Sequence, residues 1–279
     1  MKLKIYQQEA LNTLTLFCKN YKESSGKVEE AFNNTLKNSE QFSEPYEPYL
    51  KVKESTAPYI CIRIPTGGGK TLIAAKSLKP VIEELYENDK TFLVIWLAPK
   101  DIIVNQTIKA LKDPKHPYRK AIDEDFPSTS INVMKLKDAL TNTFNKKTDI
   151  TILVGSMQSF NVGNDDIRKF YYLNSNYANF LENSKYKDEP SLANAIKEAS
   201  PYIIIDEAHK ARANLSLSNI INLNPSFVLE LTATPERNHK PNAGKYASNI
   251  IYSVSASQLK AENMIKLPII LETVDNWEK

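Results

Sequence analysis

Ile64-Pro65-Thr66-Gly67-Gly68-Gly69-Lys70-Thr71 lies between an apolar run, Tyr59-Ile60-Cys61-Ile62-Arg63, and a stretch from Leu72 to Tyr86 in which Ala74, Leu78, Val81, Ile82 and Leu85 recur at helical spacing. The run reads as a buried strand and the stretch as a helix, so the octet joins a strand to a helix N-terminus. Three successive glycines open backbone conformations closed to other residues and let several N–H groups converge on one anion, to which the helix dipole adds its pull. This is the pattern of a phosphate-binding loop. Thr66, Gly67, Gly68 and Gly69 supply the cradle, Lys70 a point charge for the β- and γ-phosphates, and Thr71 a hydroxyl for magnesium. The strict pattern has glycine at its first position; here Ile64 stands there, which leaves the turn to Gly67–Gly69.

The bulk numbers bound the rest. A chain of 279 residues holds one large α/β domain or two small ones and can bury a sizeable core. Its 42% hydrophobic and 25% charged residues are ordinary globular values, and a net charge of +3 argues neither for nor against nucleic acid, so any basic surface must be local. Two cysteines, Cys18 and Cys61, form no disulfide framework and no metal spacing. No signal-peptide run and no membrane-spanning run is present, which predicts a soluble, cytoplasmic protein.

Upstream of the loop, Ile5, Leu11, Leu14 and Phe17 predict a helix within residues 1–19, with Tyr6-Gln7-Gln8-Glu9 on its first turns. Gln7 is either a solvated side chain or an adenine reader, because an amide donates and accepts at once. Residues 20–57 are polar, broken by Pro45 and Pro48, and read as an exposed connection with one short helix over Val28–Leu36. Downstream, residues 91–98 form a second continuous apolar strand ended by Pro99, as in parallel sheets covered on both faces. A helix over Asp101–Leu111 is followed by Lys112, Lys115, Arg119 and Lys120 around Pro114 and Pro117, a basic loop. Short strands follow at Ile131–Val133 and Thr151–Val154, the latter leading into Gly155-Ser156, small enough for a ligand to approach the backbone. Residues 161–200 read as a polar, partly helical insertion.

Tyr202-Ile203-Ile204-Ile205 ends directly in Asp206-Glu207-Ala208-His209. Adjacent carboxylates at the carboxyl end of a parallel strand lie where ligands of open α/β sheets bind. Asp206 is placed to hold magnesium through its water shell and Glu207 to polarise a water for in-line attack on a γ-phosphate. A further strand, Phe227–Leu231, runs into Thr232-Ala233-Thr234-Pro235, whose two hydroxyls can link the neighbouring strand end to something that moves. Strands at Asn249–Val254 and Leu267–Leu271 close the chain.

Tyr6-Gln7, Pro65–Thr71, Ala98-Pro99, Asp206-Glu207-Ala208-His209 and Leu231–Pro235 together, in this order, resemble the first motor domain of superfamily 2 DEAD/DEAH-type helicases. The stretch Val254–Pro268 looks further like the ATPase (Res) subunit of type III restriction enzymes. The resemblance implies a RecA-like P-loop NTPase domain over 58–279, an α/β fold with a mostly parallel central sheet flanked by helices. It also implies ATP and Mg2+ as cofactors. Gln7 would read adenine, Lys70 and Thr71 would bind triphosphate and metal, and Asp206 and Glu207 would carry hydrolysis. His209, Thr232 and Thr234 would couple nucleotide state to DNA, and Pro99, Lys100, Gly155 and Ser156 would lie along the nucleic-acid backbone. The implied partners are double-stranded DNA, a C-terminal motor half and a methyltransferase or specificity subunit. A second RecA-like domain and a nuclease domain are expected to be absent, since 279 − 234 = 45 residues follow Thr234 and an α/β domain usually needs more than about 100. The expected function is an ATP-driven DNA translocase half of a restriction or other defence system, nearly inactive alone. The alternative is a non-catalytic, ATP-dependent module that binds nucleic acid or a partner.

Overall fold

The computed structural model describes residues 2–37, 45–47, 57–86, 92–144, 150–156, 165–207, 220–238 and 246–264. Among them, strands β1 (Tyr59–Arg63), β2 (Phe92–Ala98), β3 (Ile131–Lys135), β4 (Ile150–Ser156), β5 (Tyr202–Asp206), β6 (Phe227–Thr232) and β7 (Ile250–Ser253) form one sheet. Its order is β3-β4-β2-β5-β6-β1-β7, and every neighbouring pair is parallel. A parallel sheet needs crossovers that cover both faces, and the strands are apolar on both sides accordingly. Val94, Trp96, Tyr202, Ile204, Leu229 and Leu231 point into one core layer. Leu93, Ile95, Leu97, Ile203, Ile205 and Val228 point into the other.

The first layer is closed by α1 (Ile5–Glu23), α2 (Val28–Leu36), α3 (Lys70–Lys76), α4 (Leu78–Leu85), α5 (Asp101–Lys112) and α6 (Pro117–Asp125), and by α10 (Ala256–Ala261) late in the chain. The second layer draws on α7 (Asp165–Phe170), α8 (Ala178–Leu181), α9 (Leu192–Ala199) and a 3-10 turn at Leu136–Leu140. Phe170, Tyr177, Leu181, Leu192 and Ile196 are all buried there. Much of the polar stretch read as an insertion is thus the cover of one sheet face; these apolar residues turn inward while Tyr171, Tyr172 and Leu173 face solvent, and the many Asn and Lys between them mask the periodicity.

Three further expectations change. The first helix runs to Glu23 rather than ending by residue 19, because Cys18 and Tyr21 continue its apolar face. The single helix over Leu72–Tyr86 is two, broken at Ser77. Pro80 has no N–H to return to the preceding turn, and the buried Ser77 hydroxyl bonds Ala74 O (2.7 Å) and the Tyr202 hydroxyl (2.8 Å) instead. The basic loop is partly helix: Pro117 opens α6 after His116, whose Nδ1 accepts the Tyr118 N–H. Arg119 there holds Asp123 at 2.7 Å and Leu111 O at 3.1 Å, which bind α6 to α5 and remove Arg119 from the charges available to a phosphate. The strand read at Leu267–Leu271 lies outside the described residues.

Candidate functional site

The carboxyl ends of β4, β2, β5, β6 and β1 are neighbours in the sheet, so the loops that follow them share one edge. The glycine loop leaves β1 beside β6, where the Ile64 N–H donates to Thr232 O at 2.9 Å. Each glycine has its own reason. Gly67 and Gly69 sit at φ +83° and +79°, in the left-handed region. A Cβ on Gly68 would lie 2.5 Å from Ile64 Cγ2 and 3.0 Å from Pro65 O. Ile64, fully buried beneath the loop, therefore takes the place of the expected first glycine as a floor for the turn. Gly69 then caps α3, its carbonyl accepting from Leu72 and Ile73 N–H.

Lys70, at the first position of α3, is 6% exposed. Its Nζ lies 2.8 Å from Glu207 Oε1 and donates to Ile64 O (3.3 Å) and Pro65 O (3.4 Å). Glu207 follows β5 at φ +57°, a conformation that a non-glycine residue adopts at a cost of about 1–2 kcal/mol. Such strain gathers at functional sites. Asp206, buried at the end of β5, has its carboxyl pushed up to about 6. Burial is the main cause and the Glu207 charge the second, opposed by Lys70, the Glu207 backbone N–H and the Thr71 hydroxyl. Asp206 Oδ1 is buried with no hydrogen-bond partner among the described residues. A buried oxygen without a partner, beside a hydroxyl and a second carboxylate, is a set of hard oxygen donors that fits a small divalent cation with part of its water shell.

Gln7 is buried rather than solvated. Its Oε1 accepts the Lys4 N–H at 3.0 Å and its Nε2 donates to Gly68 O at 3.4 Å. A Cβ on Gly69 would lie 2.5 Å from that Nε2. Gln8, one residue on, faces outward, bonds Asn12 and lines an open groove of about 340 Å³ with Lys76 and Asp125. Of the two amides, it is thus Gln7 that rests on the loop. Tyr6 joins it, its hydroxyl donating to Gly68 O at 2.9 Å. Sequence reading gave Tyr6 no role, and no local signal marks it, since its partner is 62 residues away.

The remaining candidates separate. Thr232 is fully buried, with the Thr234 N–H donating to its Oγ1 at 3.2 Å. His209 lies outside the described residues. Pro99 and the exposed Lys100 follow β2 and start α5, where Lys100 O accepts from Ile103 and Val104. Gly155 and Ser156 are part of β4, opposite Leu97 and Ala98. Ser156 is buried, and a Cβ on Gly155 would come within 2.9 Å of Leu136 Cδ2, so the small residue makes room for the core. Among the described residues, no helix is long and apolar enough to cross a membrane.

The family model described as "Type III restriction enzyme, res subunit" matches residues 1–237. No curated protein matches the sequence. One similar solved structure is a nuclease-deletion mutant of the Type ISP restriction-modification enzyme LlaGI in complex with a DNA substrate mimic: 15% identity, TM-score 0.49, covering 95% of this chain and 21% of that chain. Another is the Sulfolobus solfataricus SWI2/SNF2 ATPase core in complex with dsDNA: 18% identity, TM-score 0.34, covering 63% of this chain and 28% of that chain. The chain thus spans less than a third of either protein's length. With its motifs gathered on one edge of a RecA-like parallel sheet and the family match extending over residues 1–237, the chain belongs to the type III restriction enzyme res subunit family.

Proposed function

We propose that this domain binds ATP with magnesium and hydrolyses it as part of a DNA translocase of a restriction or other defence system. The observation that carries the reading is the meeting of Lys70, Thr71, Asp206 and Glu207 at one point, from two loops more than 130 residues apart in sequence. The loop N–H groups and Lys70 would hold the phosphates. Thr71 and Asp206 would hold the metal, which when bound offsets charge on the phosphate oxygens. On loading, Lys70 exchanges Glu207 and the loop carbonyls for phosphate oxygens. Glu207, released from that ion pair, then positions a water in line with the γ-phosphorus and accepts its proton as the new P–O bond forms and the bond to the ADP oxygen breaks. Gln7, seated on Gly68 and Gly69, would read the adenine edge, and His209, Thr232 and Thr234 would pass the nucleotide state on.

The γ-phosphoryl charge calls for an arginine finger, worth roughly 10³- to 10⁵-fold in rate. Arg63 donates to Ala233 O and Arg119 to Asp123 and Leu111 O, which ties up both, and the reading assigns the finger to a second RecA-like domain. Duplex DNA would run along the edge where β2 and β4 end, past Pro99, Lys100, Gly155 and Ser156, with a methyltransferase or specificity subunit as a further partner. Calorimetry with Mg-ATP tests the site: Lys70→Ala should remove binding, because the phosphates then face only backbone dipoles. Equal affinity in both proteins would rule the loop out. Phosphate release with and without duplex DNA, compared between wild type and Glu207→Gln, tests turnover.

A further inference from the structure

The N-terminus of α1 is only partly capped from within: Gln7 Oε1 accepts the Lys4 N–H at 3.0 Å, but the Ile5 N–H is met from elsewhere in the chain. Lys4 precedes it with no side-chain oxygen to offer, and its first turn carries no acidic residue. Helix N-termini ordinarily recruit an oxygen acceptor or an anion for their unpaired N–H groups. Here it comes from the far end of the chain. Glu262, just past α10, accepts the Ile5 N–H at Oε1 (3.1 Å), while its Oε2 lies 3.6 Å from Lys4 Nζ and its backbone carbonyl accepts from that same Nζ at 3.0 Å. The same short segment touches the glycine loop. Leu259 is fully buried, and its Cδ2 would lie 3.3 Å from a Cβ on Gly68; Met264 O would lie 3.8 Å from one on Gly67. Asn263 at φ +55° turns the chain after α10, with the Met264 N–H returning to Leu259 O at 2.9 Å. A second tie reinforces the first: the Tyr252 hydroxyl donates to Glu9 Oε2 at 2.5 Å.

We propose that Glu262 is a positioning residue of the nucleotide site: by capping α1 it holds Gln7 and Tyr6 against Gly68 and so sets the base-reading end of the site, independently of the phosphate-reading end. The inference rests on the nucleotide reading above, and it concerns a segment beyond the residues matched by the family model. The two ends meet at Gly68 but are held by different residues. Glu262 contacts Lys4 and Ile5, three and two residues from Gln7, whereas Lys70 and Thr71 are held from the other side by Glu207 and Asp206. Freeing the start of α1 should loosen Gln7 and leave Lys70 where it is.

The test is calorimetric binding of ATP, GTP and inorganic tripolyphosphate, each with magnesium, to wild type, Glu262→Ala, Glu262→Gln and Lys4→Ala. Glu262→Ala should weaken ATP by about three- to tenfold and reduce the ATP-over-GTP preference, the range expected for losing a helix cap and its charge. Tripolyphosphate, which has no base, should bind within about twofold of wild type, given that the phosphate-binding N–H groups are untouched. Glu262→Gln, which keeps an oxygen for the Ile5 N–H, should recover most of the loss. Lys4→Ala should move in the same direction by less, and it stands in for Glu262→Ala if that variant does not fold. Unchanged ATP affinity and selectivity in the alanine variants, or an equal fall for ATP and tripolyphosphate, overturns the positioning role while leaving the nucleotide site in place. Failure of wild type to bind either ligand removes the nucleotide reading itself, and the positioning role with it.

Discussion

Replacing Asp206 by asparagine should make the nucleotide-free protein more stable and its stability less sensitive to pH. The carboxyl titrates at about 6 in the fold against its ordinary 3.8, chiefly because burial disfavours its charged form. A carboxyl raised on folding favours the folded state fully only below its unfolded value. That advantage is lost as pH rises through the folded value. Above pH 7 the ionised group therefore burdens the fold by about 3 kcal/mol, the difference between 3.8 and about 6 taken at about 1.4 kcal/mol per pH unit. Linkage reduces this to about half at pH 5, where much of the folded population is already protonated. Asparagine keeps an oxygen for the Thr71 hydroxyl and carries no charge, so it should recover about 1–3 kcal/mol at pH 8, some 3–8 °C in Tm for a chain of this size, and about half as much at pH 5. The assay is thermal unfolding at both pH values in EDTA, without nucleotide, alongside Mg-ATP binding, which the variant should lose. An Asp206→Asn protein no more stable than wild type at pH 8, or a gain that grows as pH falls, would refute the argument that this carboxylate is held ionised against its own burial.

Gly69→Ala should lower Tm and flatten ATP-over-GTP discrimination together: its φ of +79° is strained for alanine and the new methyl would meet Gln7 Nε2, a penalty of about 1–2 kcal/mol; discrimination left intact would separate Gln7 from the base. Gly68→Ala should destabilise by about 1–3 kcal/mol through overpacking on Ile64, and the double variant Gly68→Ala/Ile64→Val should recover part of that in chemical denaturation. Tyr6→Phe removes only the hydroxyl bonded to Gly68 O and should cost about 0.5–1.5 kcal/mol in the same assay. Glu207→Gln should bind Mg-ATP at least as tightly as wild type, since Lys70 no longer has a carboxylate to leave, while phosphate release falls; weaker binding would mean the ion pair supports the loop instead of competing with its ligand.

What the sequence made legible follows from how local each signal was. Continuous apolar runs such as Val94–Leu97 and Ile203–Ile205 identify strands covered on both faces, and the parallel sheet follows from them because only crossovers can cover two faces at once. The glycine loop and the Asp206-Glu207 pair were equally legible, being backbone and charge requirements met within a few consecutive residues. The break at Ser77 was encoded by Pro80 but hidden by an apolar spacing that runs straight through it. The cover contributed by Phe170, Tyr177, Leu181 and Ile196 was hidden by composition, since one apolar residue per turn suffices when the neighbouring layer is already a sheet.

The contacts that finish the site were illegible for a different reason. Tyr6 to Gly68, Gln7 to Gly68, Ile5 to Glu262 and Tyr252 to Glu9 span 62, 61, 257 and 243 residues, and none of these residue types is unusual in its own neighbourhood. Their meeting depends on strand order: β7 lies beside β1, so the chain that leaves β7 arrives next to the loop that leaves β1, and α1 packs across both. Once that order is known, an α1 start whose Ile5 N–H is unmet within its own helix and a carboxylate just past α10 become complementary. The helix end needs an oxygen acceptor, and Glu262 is a carboxylate whose own helix ends, at Asn263, in the turn that brings it there. On the proposed nucleotide reading, the base-reading end of the site would be a property of sheet topology, whereas the phosphate-reading end would be a property of eight consecutive residues. Substitution of Glu262 should accordingly change which nucleotide is preferred before it changes whether phosphate is bound.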